Sequence, residues 1–256
     1  MKSISPIFLK IKFIVIALLL ASCADSSKEV TADSIIEKAI ENAGGKTIDQ
    51  STISFKFRDY YYRAERNNGE YALERCDSKN CEGVKDVLNN AGFTRYENGK
   101  AVALADSMST NYGNSVNSVH YFSVLPYGLE SKAVNKKMIG ESKIKGKDYY
   151  LIQVTFSQEG GGDDFDDEYM YWIDKNTYTV DYLAYNYHVN EGGTRFREAY
   201  NIRDIEGVRV VDYNNYKPEE RFPPLKSLDS LFENGKLELL SKIELEEVSV
   251  TPCPSC

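Results

Sequence analysis

The chain of 256 residues has a formal net charge of −8 and carries 39 acidic residues against 31 basic ones. Because no basic stripe offsets this charge, the composition excludes nucleic acid as a partner and excludes attachment to anionic lipid heads by charge alone. Hydrophobic residues make up 42%, which excludes a disordered protein, and the 19 tyrosines favour β-structure.

The first residues predict a secretory signal peptide that ends in a lipidation site. Basic residues precede an apolar run at 13–21, which is far shorter than the roughly 20 residues of a spanning helix. The run ends in "LASC", which matches a bacterial lipobox with Cys23 as the lipidated residue. The alternative is a plain secretory signal with a chance cysteine.

These features predict a signal peptide over residues 1–22 and a lipidated cysteine with a flexible polar tether over 23–32. We expect a membrane-anchored lipoprotein of the cell envelope, with the outer membrane favoured. Removing the three lysines of the signal peptide takes the net charge from −8 to −11, so the lipid chains must attach the protein to the membrane.

An amphipathic helix is predicted over residues 33–45. Its apolar side chains recur at helical spacing, with Asp33 as the N-cap and Gly44 at the end. Apolar residues then alternate with polar ones, as in Ile53, Phe55 and Phe57, and tight-turn sequences separate such runs. This pattern predicts an antiparallel sheet.

A helical insertion interrupts the strands at residues 106–129. Val116, Val119 and His120 share one helical face there, and Pro126 ends it. The predicted fold class is therefore α+β, with a large curled antiparallel sheet that forms an open half-barrel, an N-terminal helix and a short helical insertion. Residues 33–256 would form this single half-barrel domain.

The segment "YLAYNYHVNEGGTRFREAYN" at 182–201 predicts a hairpin with its turn at 190–193. If Val189 pairs with Thr194, the hairpin has an aromatic face on one side and a polar face on the other. The aromatic face has Leu183, Tyr185 and Tyr187 with Phe196, Glu198 and Tyr200, and the polar face has Asn186, His188, Arg195 and Arg197. The polar face either meets solvent or points into the concavity as a cationic anchor for a carboxylate or phosphate.

The four remaining cysteines, Cys76, Cys81, Cys253 and Cys256, are candidates for disulfides, with three pairings possible. A tetrathiolate zinc site is the alternative. The acidic loop at 160–168 is interpreted as an exposed hairpin tip, with Ca²⁺ binding as its alternative. Two histidines are too few for a histidine-based metal site, so we expect no metal and no cofactor.

Four segments carry a family resemblance: "DVLNNAGFTRYENG", "NSVNSVHYFSVLPYGL", "DEYMYWIDKNTYTVDYLAYNYHVNEGGTRFREAYN" and "VVDYNNYKP". Over residues 30–248 the chain resembles a family of uncharacterised flavobacterial-type lipoproteins that share a domain of unknown function. Its architecture is similar to the half-barrel fold of the lipoprotein carriers (Lol-like), which implies binding of hydrophobic ligands. Relatives sometimes labelled deoxyribose-phosphate aldolase imply a βα barrel instead, and the strand pattern here does not fit one.

The favoured hypothesis is a non-enzymatic, membrane-tethered lipoprotein that holds a lipid or other hydrophobic ligand in the concave face of its sheet. The candidate ligand-binding residues are Tyr185, His188, Arg195, Arg197, Tyr200, His120 and Tyr121. A hydrolase or lyase is the second hypothesis, with His188 as general base and Arg195 and Arg197 holding an anion. A structural or surface-adhesion lipoprotein is the third. The sequence contains no catalytic motif and identifies no protein partner.

Overall fold

The computed structural model describes residues 30–160, 165–188 and 191–253. The predicted signal peptide, Cys23 and Cys256 lie outside the described residues. From Thr31 onward the chain forms one compact unit.

Two seven-stranded antiparallel sheets make up most of the described chain. Sheet A contains β1 (Gln50–Phe57), β2 (Tyr60–Asn67), β3 (Glu70–Cys76), β4 (Val84–Asn89), β5 (Gly92–Glu97), β6 (Lys100–Val102) and β14 (Glu246–Pro252). Sheet B contains β7 (Val134–Ile144), β8 (Lys147–Phe156), β9 (Glu168–Asp174), β10 (Val180–Tyr187), β11 (Gly193–Ile205), β12 (Val208–Pro218) and β13 (Leu237–Ile243).

Strands that follow one another in the chain are neighbours in each sheet, and β14 completes sheet A beside β1. The helices are α1 (Ala32–Asn42), α2 (Gly45–Asp49), α3 (Asp106–Ser123) and α4 (Leu228–Glu233), with a 3₁₀ turn at Leu225–Ser227. The predicted class is confirmed: α+β, antiparallel, with an N-terminal helix and a helical insertion. The βα barrel implied by the aldolase label is excluded, because consecutive strands here pair antiparallel.

The N-terminal helix begins at Ala32, two residues earlier than a cap at Asp33 would require. Thr31 is the N-cap: its hydroxyl accepts a hydrogen bond from Ser34 N at 3.2 Å, and Ser34 Oγ accepts one from Thr31 N at 3.0 Å. The prediction of Asp33 as the cap was wrong, and its carboxylate pairs with Lys136 at 3.0 Å instead. Gly44, at φ +85°, turns the chain into α2. A side chain there would collide with the carbonyl of Gly207.

Sheet B is buried on both faces. In β9, the side chains of Tyr169, Tyr171 and Ile173 join the core under α1, whereas Met170 and Trp172 join a core covered by α4. Period-two alternation thus gives two apolar faces here instead of one apolar and one polar face.

The β10–β11 hairpin has a different register from the predicted one. Tyr187 pairs with Gly193, whereas the prediction placed it opposite Phe196, three positions away. Because side chains alternate, an odd shift moves every side chain of β11 to the other face. Arg195 and Arg197 therefore lie on the same face as Tyr187, opposite to the prediction, and Phe196 joins the other core.

Candidate ligand-binding clefts

The insertion helix α3 connects the two sheets. It packs on β3, β4 and β5 of sheet A, where Val116 is fully buried with Ala64 and Leu73. Near its C-terminal end, Tyr121 and Phe122 pack against the core of sheet B. The helix therefore closes the space between the sheets, and clefts remain along its sides.

The first of these, the Arg197 cleft, has a volume of about 210 Å³ and lies between α3 and the strands β12 and β13. Its apolar wall consists of Phe57, Val119, Phe122, Val211, Ile243 and Leu245. Its polar groups are Arg58, Ser118, Ser123, Arg197, Tyr213, Asn215 and Ser241. An apolar wall with a few convergent polar groups is typical of a ligand site.

Arg197 is the central cation of this cleft, and three aromatic rings surround it. Its Nη2 donates to the hydroxyl of Tyr185 at 2.8 Å. The guanidinium carbon lies 4.0 Å from the ring centroid of Phe122 and 6.0 Å from that of Tyr213. The strand β11 fixes this position, because Arg197 pairs there with Leu183 on one side and Asn215 on the other.

This cation has no counter-ion among the described residues. Arg197 is 8% exposed, forms no ion pair with them, and its Nε is buried without a hydrogen-bond partner. The neighbouring Asn215 donates to Ser241 Oγ at 3.2 Å, while its own Oδ1 is buried without a partner. Buried charges are ordinarily paired, so the cleft can accept an anion.

Of the predicted site residues, only Tyr185 and Arg197 come together here. Tyr200 lies elsewhere, since its hydroxyl donates to Glu244 at 2.8 Å; burial and this carboxylate raise the pKa of Tyr200 to about 12. Tyr121 faces the other side of α3, and burial raises its pKa to about 12 as well.

The side chains of His188 and Arg195 lie outside the Arg197 cleft. His188 is exposed and stacks on the ring of Phe222 at a centroid distance of 5.8 Å. Arg195 donates to the hydroxyl of Tyr187 at 2.6 Å and lines a separate surface groove. The Arg197 cleft and the groove at Arg195 each contain one of the two arginines of the catalytic hypothesis, and His188 lines neither of them.

His120 is a core residue of α3. Its Nε2 lies 3.0 Å from the carbonyl oxygen of Glu74, so Nε2 carries the proton and donates it. The rings of Tyr62 and Phe55 pack against it. Burial lowers the pKa of His120 to about 3, so the imidazole is neutral at physiological pH.

Cys76 and Cys81 form a disulfide, which joins the end of β3 to the following loop. Cys253 is also disulfide-bonded. These bonds occupy three of the four cysteines of the zinc alternative, so those three sulfurs are not available as thiolate ligands. In the described part of the chain, no group of three or more His, Cys, Asp or Glu side chains is arranged to hold a metal ion. Residues 161–164 of the acidic loop lie outside that part.

The sequence did not point to Phe122, Tyr213 or Asn215 as site residues. Phe122 lies three residues after Val119, a spacing that places both side chains on one face of a helix. This spacing could have indicated that Phe122 belongs to the site. Asn215 lies opposite Arg197, and Tyr213 lies two residues away on the same strand, because β12 pairs with β11. No local sequence pattern encodes that pairing. Among the described helices, none is long and apolar enough to cross a membrane.

Two solved structures that are similar to this chain have low sequence identity to it. A LolA superfamily protein from Nitrosomonas europaea has a TM-score of 0.51 and 14% identity, covering 88% of this chain and 96% of that one. A DUF1329 family protein from Desulfovibrio piger has a TM-score of 0.48 and 10% identity, covering 86% and 92%. The similarity to the LolA superfamily protein shows that this chain has a LolA-like fold.

No curated protein matches this sequence significantly. A family profile does match, and it covers residues 10–245, which include both sheets up to the end of β13. The chain therefore belongs to the family of unknown function DUF6503.

Proposed function

We propose that this protein is a membrane-tethered lipoprotein of the cell envelope that binds an amphiphile with an anionic head in the Arg197 cleft. The observation that carries the proposal is the buried, unpaired guanidinium of Arg197 in a cleft with an apolar wall. Such a cation stabilises a carboxylate or phosphate through charge-assisted hydrogen bonds, which are strong in a desolvated site.

The apolar wall of the cleft suits the tail of such a ligand. Val119 and Phe122 of α3 face Val211 and Ile243 of sheet B across it. Its volume of about 210 Å³ is below the roughly 300 to 1,000 Å³ of ligand pockets in general. A long acyl chain therefore requires α3 to move away from sheet B, whereas a short one fits the space with little change.

The lipobox at Cys23 and the LolA-like fold support the tethered location. Two or three acyl chains on Cys23 would hold the protein at the membrane, since one chain gives only marginal binding. The polar residues that follow Cys23 would let the domain reach ligands at the membrane surface.

A matched pair of probes tests the anionic head. Decanoate and decanol have the same chain length and differ in charge, so the ratio of their affinities measures what the cation contributes. We expect decanoate to bind at least about tenfold more tightly at neutral pH, as hydrogen bonds to charged groups predict. Arg197→Met should remove this preference and leave decanol binding unchanged.

Arg195→Met is the control, because Arg195 lies outside the Arg197 cleft. Native mass spectrometry of protein extracted from its membranes would identify the natural ligand. Equal affinities for decanoate and decanol, or an unchanged preference in Arg197→Met, would contradict the proposal.

The hydrolase or lyase hypothesis lacks the geometry that it needs. His188 is exposed against Phe222, while Arg197 lies in the cleft beside α3. A general base must reach the group that the cations hold, and His188 lines neither the Arg197 cleft nor the groove at Arg195.

A further inference from the structure

A second cleft lies on the other side of α3, against sheet A. It has a volume of about 420 Å³. Its apolar wall consists of Tyr71, Leu73, Tyr121 and Val124. The side chain of Arg66 enters it from β2, on the same buried face as Tyr62 and Ala64. We refer to it as the Arg66 cleft.

Arg66 is more isolated than Arg197. It is 9% exposed, and its side chain forms neither a hydrogen bond nor an ion pair with any described residue. Its Nη1 is buried without a partner, and its closest aromatic contact is the ring of Tyr127, with the centroid 5.8 Å from the guanidinium carbon. Burial lowers the pKa of Arg66, which shows how poorly the surroundings solvate this charge.

The charged groups nearby do not neutralise Arg66. Asp49 accepts a hydrogen bond from the hydroxyl of Tyr127 at 2.7 Å and lies beyond ion-pair distance of Arg66. Glu70 is exposed at the rim of the cleft. His120 is neutral, because burial lowers its pKa to about 3. Arg66 is thus the only cation among the residues that line the cleft.

From this geometry we propose that the Arg66 cleft is a second anion-binding site, which takes a carboxylate or phosphate group. The planar guanidinium can donate two parallel hydrogen bonds to such an oxyanion. The wall of Tyr71, Leu73 and Val124 accommodates a short apolar part attached to it. This site is lined by sheet A and α3 and has no lining residue in common with the Arg197 cleft.

Two probes distinguish a free oxyanion from an amphiphilic acid. Inorganic phosphate tests the first by calorimetry and by the shift of the melting temperature. Octanoate tests the second, in an Arg197→Met background, so that the other cleft lacks its buried cation. Whichever of the two probes binds to the wild type, Arg66→Met should weaken its binding at least about tenfold, because the substitution removes charge-assisted hydrogen bonds.

Arg63→Met is the matched control on the same strand. Arg63 is 43% exposed and already pairs with Glu65 and Glu74, so we expect unchanged binding. A second readout separates binding from a structural role. Without any anion, Arg66→Met should be as stable as the wild type or more stable, since it removes an unpaired buried charge.

Saturable binding of phosphate that Arg66→Met loses and Arg63→Met keeps would support a free oxyanion as the ligand. The same result with octanoate alone would support an amphiphilic acid. Equal binding by wild type and Arg66→Met for both probes, or a lower melting temperature of the anion-free methionine variant, would overturn the proposal. Arg66→Lys keeps the charge but not the planar guanidinium, and it should retain weaker binding.

Discussion

The carboxylate of Asp86 holds two arginines together beneath α3, and its replacement by Asn should release that helix. Arg75 Nη2 lies 2.6 Å from Asp86 Oδ2, and Arg95 Nε lies 2.7 Å from Asp86 Oδ1. Both arginines also contact α3: Arg75 donates to Ser115 Oγ at 2.8 Å, and Arg95 lies 3.8 Å from the ring centroid of Tyr112. Asp86→Asn therefore weakens the attachment of α3 to sheet A without substituting any residue of the helix.

The magnitude follows from burial. The side chain of Asp86 is 2% exposed, and those of Arg75 and Arg95 are 11% and 15% exposed. Breaking a buried pair by removing one partner costs about 3–5 kcal/mol, because it leaves an uncompensated charge. Asn keeps one acceptor oxygen, so we expect a loss of about 3 kcal/mol in the free energy of unfolding at pH 7.

The pH dependence has a definite sign. Burial alone would raise the pKa of Asp86, but hydrogen bonds from Arg95 and Arg75 outweigh it and hold the pKa below the usual 3.8. A carboxyl group whose pKa is lower in the folded protein stabilises it fully above the usual value, and this stabilisation is lost as the pH falls below it. The difference between wild type and Asp86→Asn should therefore be constant near neutral pH and shrink below about pH 4.

Urea unfolding at pH 7 and at pH 3 measures this difference, and hydrogen exchange measures the opening of α3. Asp148→Asn is the control, because its pair with Lys143 is exposed at 59% and 62% and should contribute little. The reasoning would be refuted if Asp86→Asn were as stable as this control, or if exchange in α3 did not become faster.

Two further predictions concern protonation and anchoring. Because burial holds the pKa of His120 at about 3, stability should fall as the pH decreases from about 6.5, with a slope of about 1.4 kcal/mol per pH unit. Urea midpoints measured against pH should show this slope in wild type and His188→Gln but not in His120→Gln; a slope that survives in His120→Gln would contradict the assignment. Cys23→Ser should abolish incorporation of labelled palmitate and sedimentation with membranes, whereas Ser22→Ala keeps a small residue before the cysteine and should preserve both. Labelled Cys23→Ser protein would show that the lipobox interpretation is wrong.

The sequence predicts those parts of the fold that depend on local periodicity. The spacing of Ile35, Ile36 and Ala39 indicates the buried face of α1, and all three are at most 1% exposed. The alternation through β9 likewise separates the side chains of Tyr171 and Trp172 onto opposite faces. These patterns act over a few residues, so the chain itself displays them.

Register and long-range pairing are not encoded locally in this way. The predicted hairpin turn was too short, since β10 ends at Tyr187 and β11 begins at Gly193, and the error exchanged the faces of Arg195 and Arg197. The prediction missed Arg66 for a related reason. Alternation in β2 places it beside Ala64 on the inner face, but only the folded structure shows that none of the described acidic residues forms an ion pair with it.

The helix α3 makes both clefts depend on one element. Val119 and Phe122 line the Arg197 cleft, whereas His120 and Tyr121, next to them in the helix, line the Arg66 cleft.

Each of the two buried guanidinium groups has no ion-pair partner among the described residues, and such a charge loses hydration and destabilises the folded state. An anion bound in either cleft would remove that penalty, and a shift of α3 that opens one cleft would change the wall of the other. Occupancy of one site should therefore alter the affinity of the other by the same factor in both directions. Titrations of decanoate with and without saturating phosphate measure that factor when they are run in wild type and in Arg66→Met, because phosphate can act in Arg66→Met only by direct competition at Arg197.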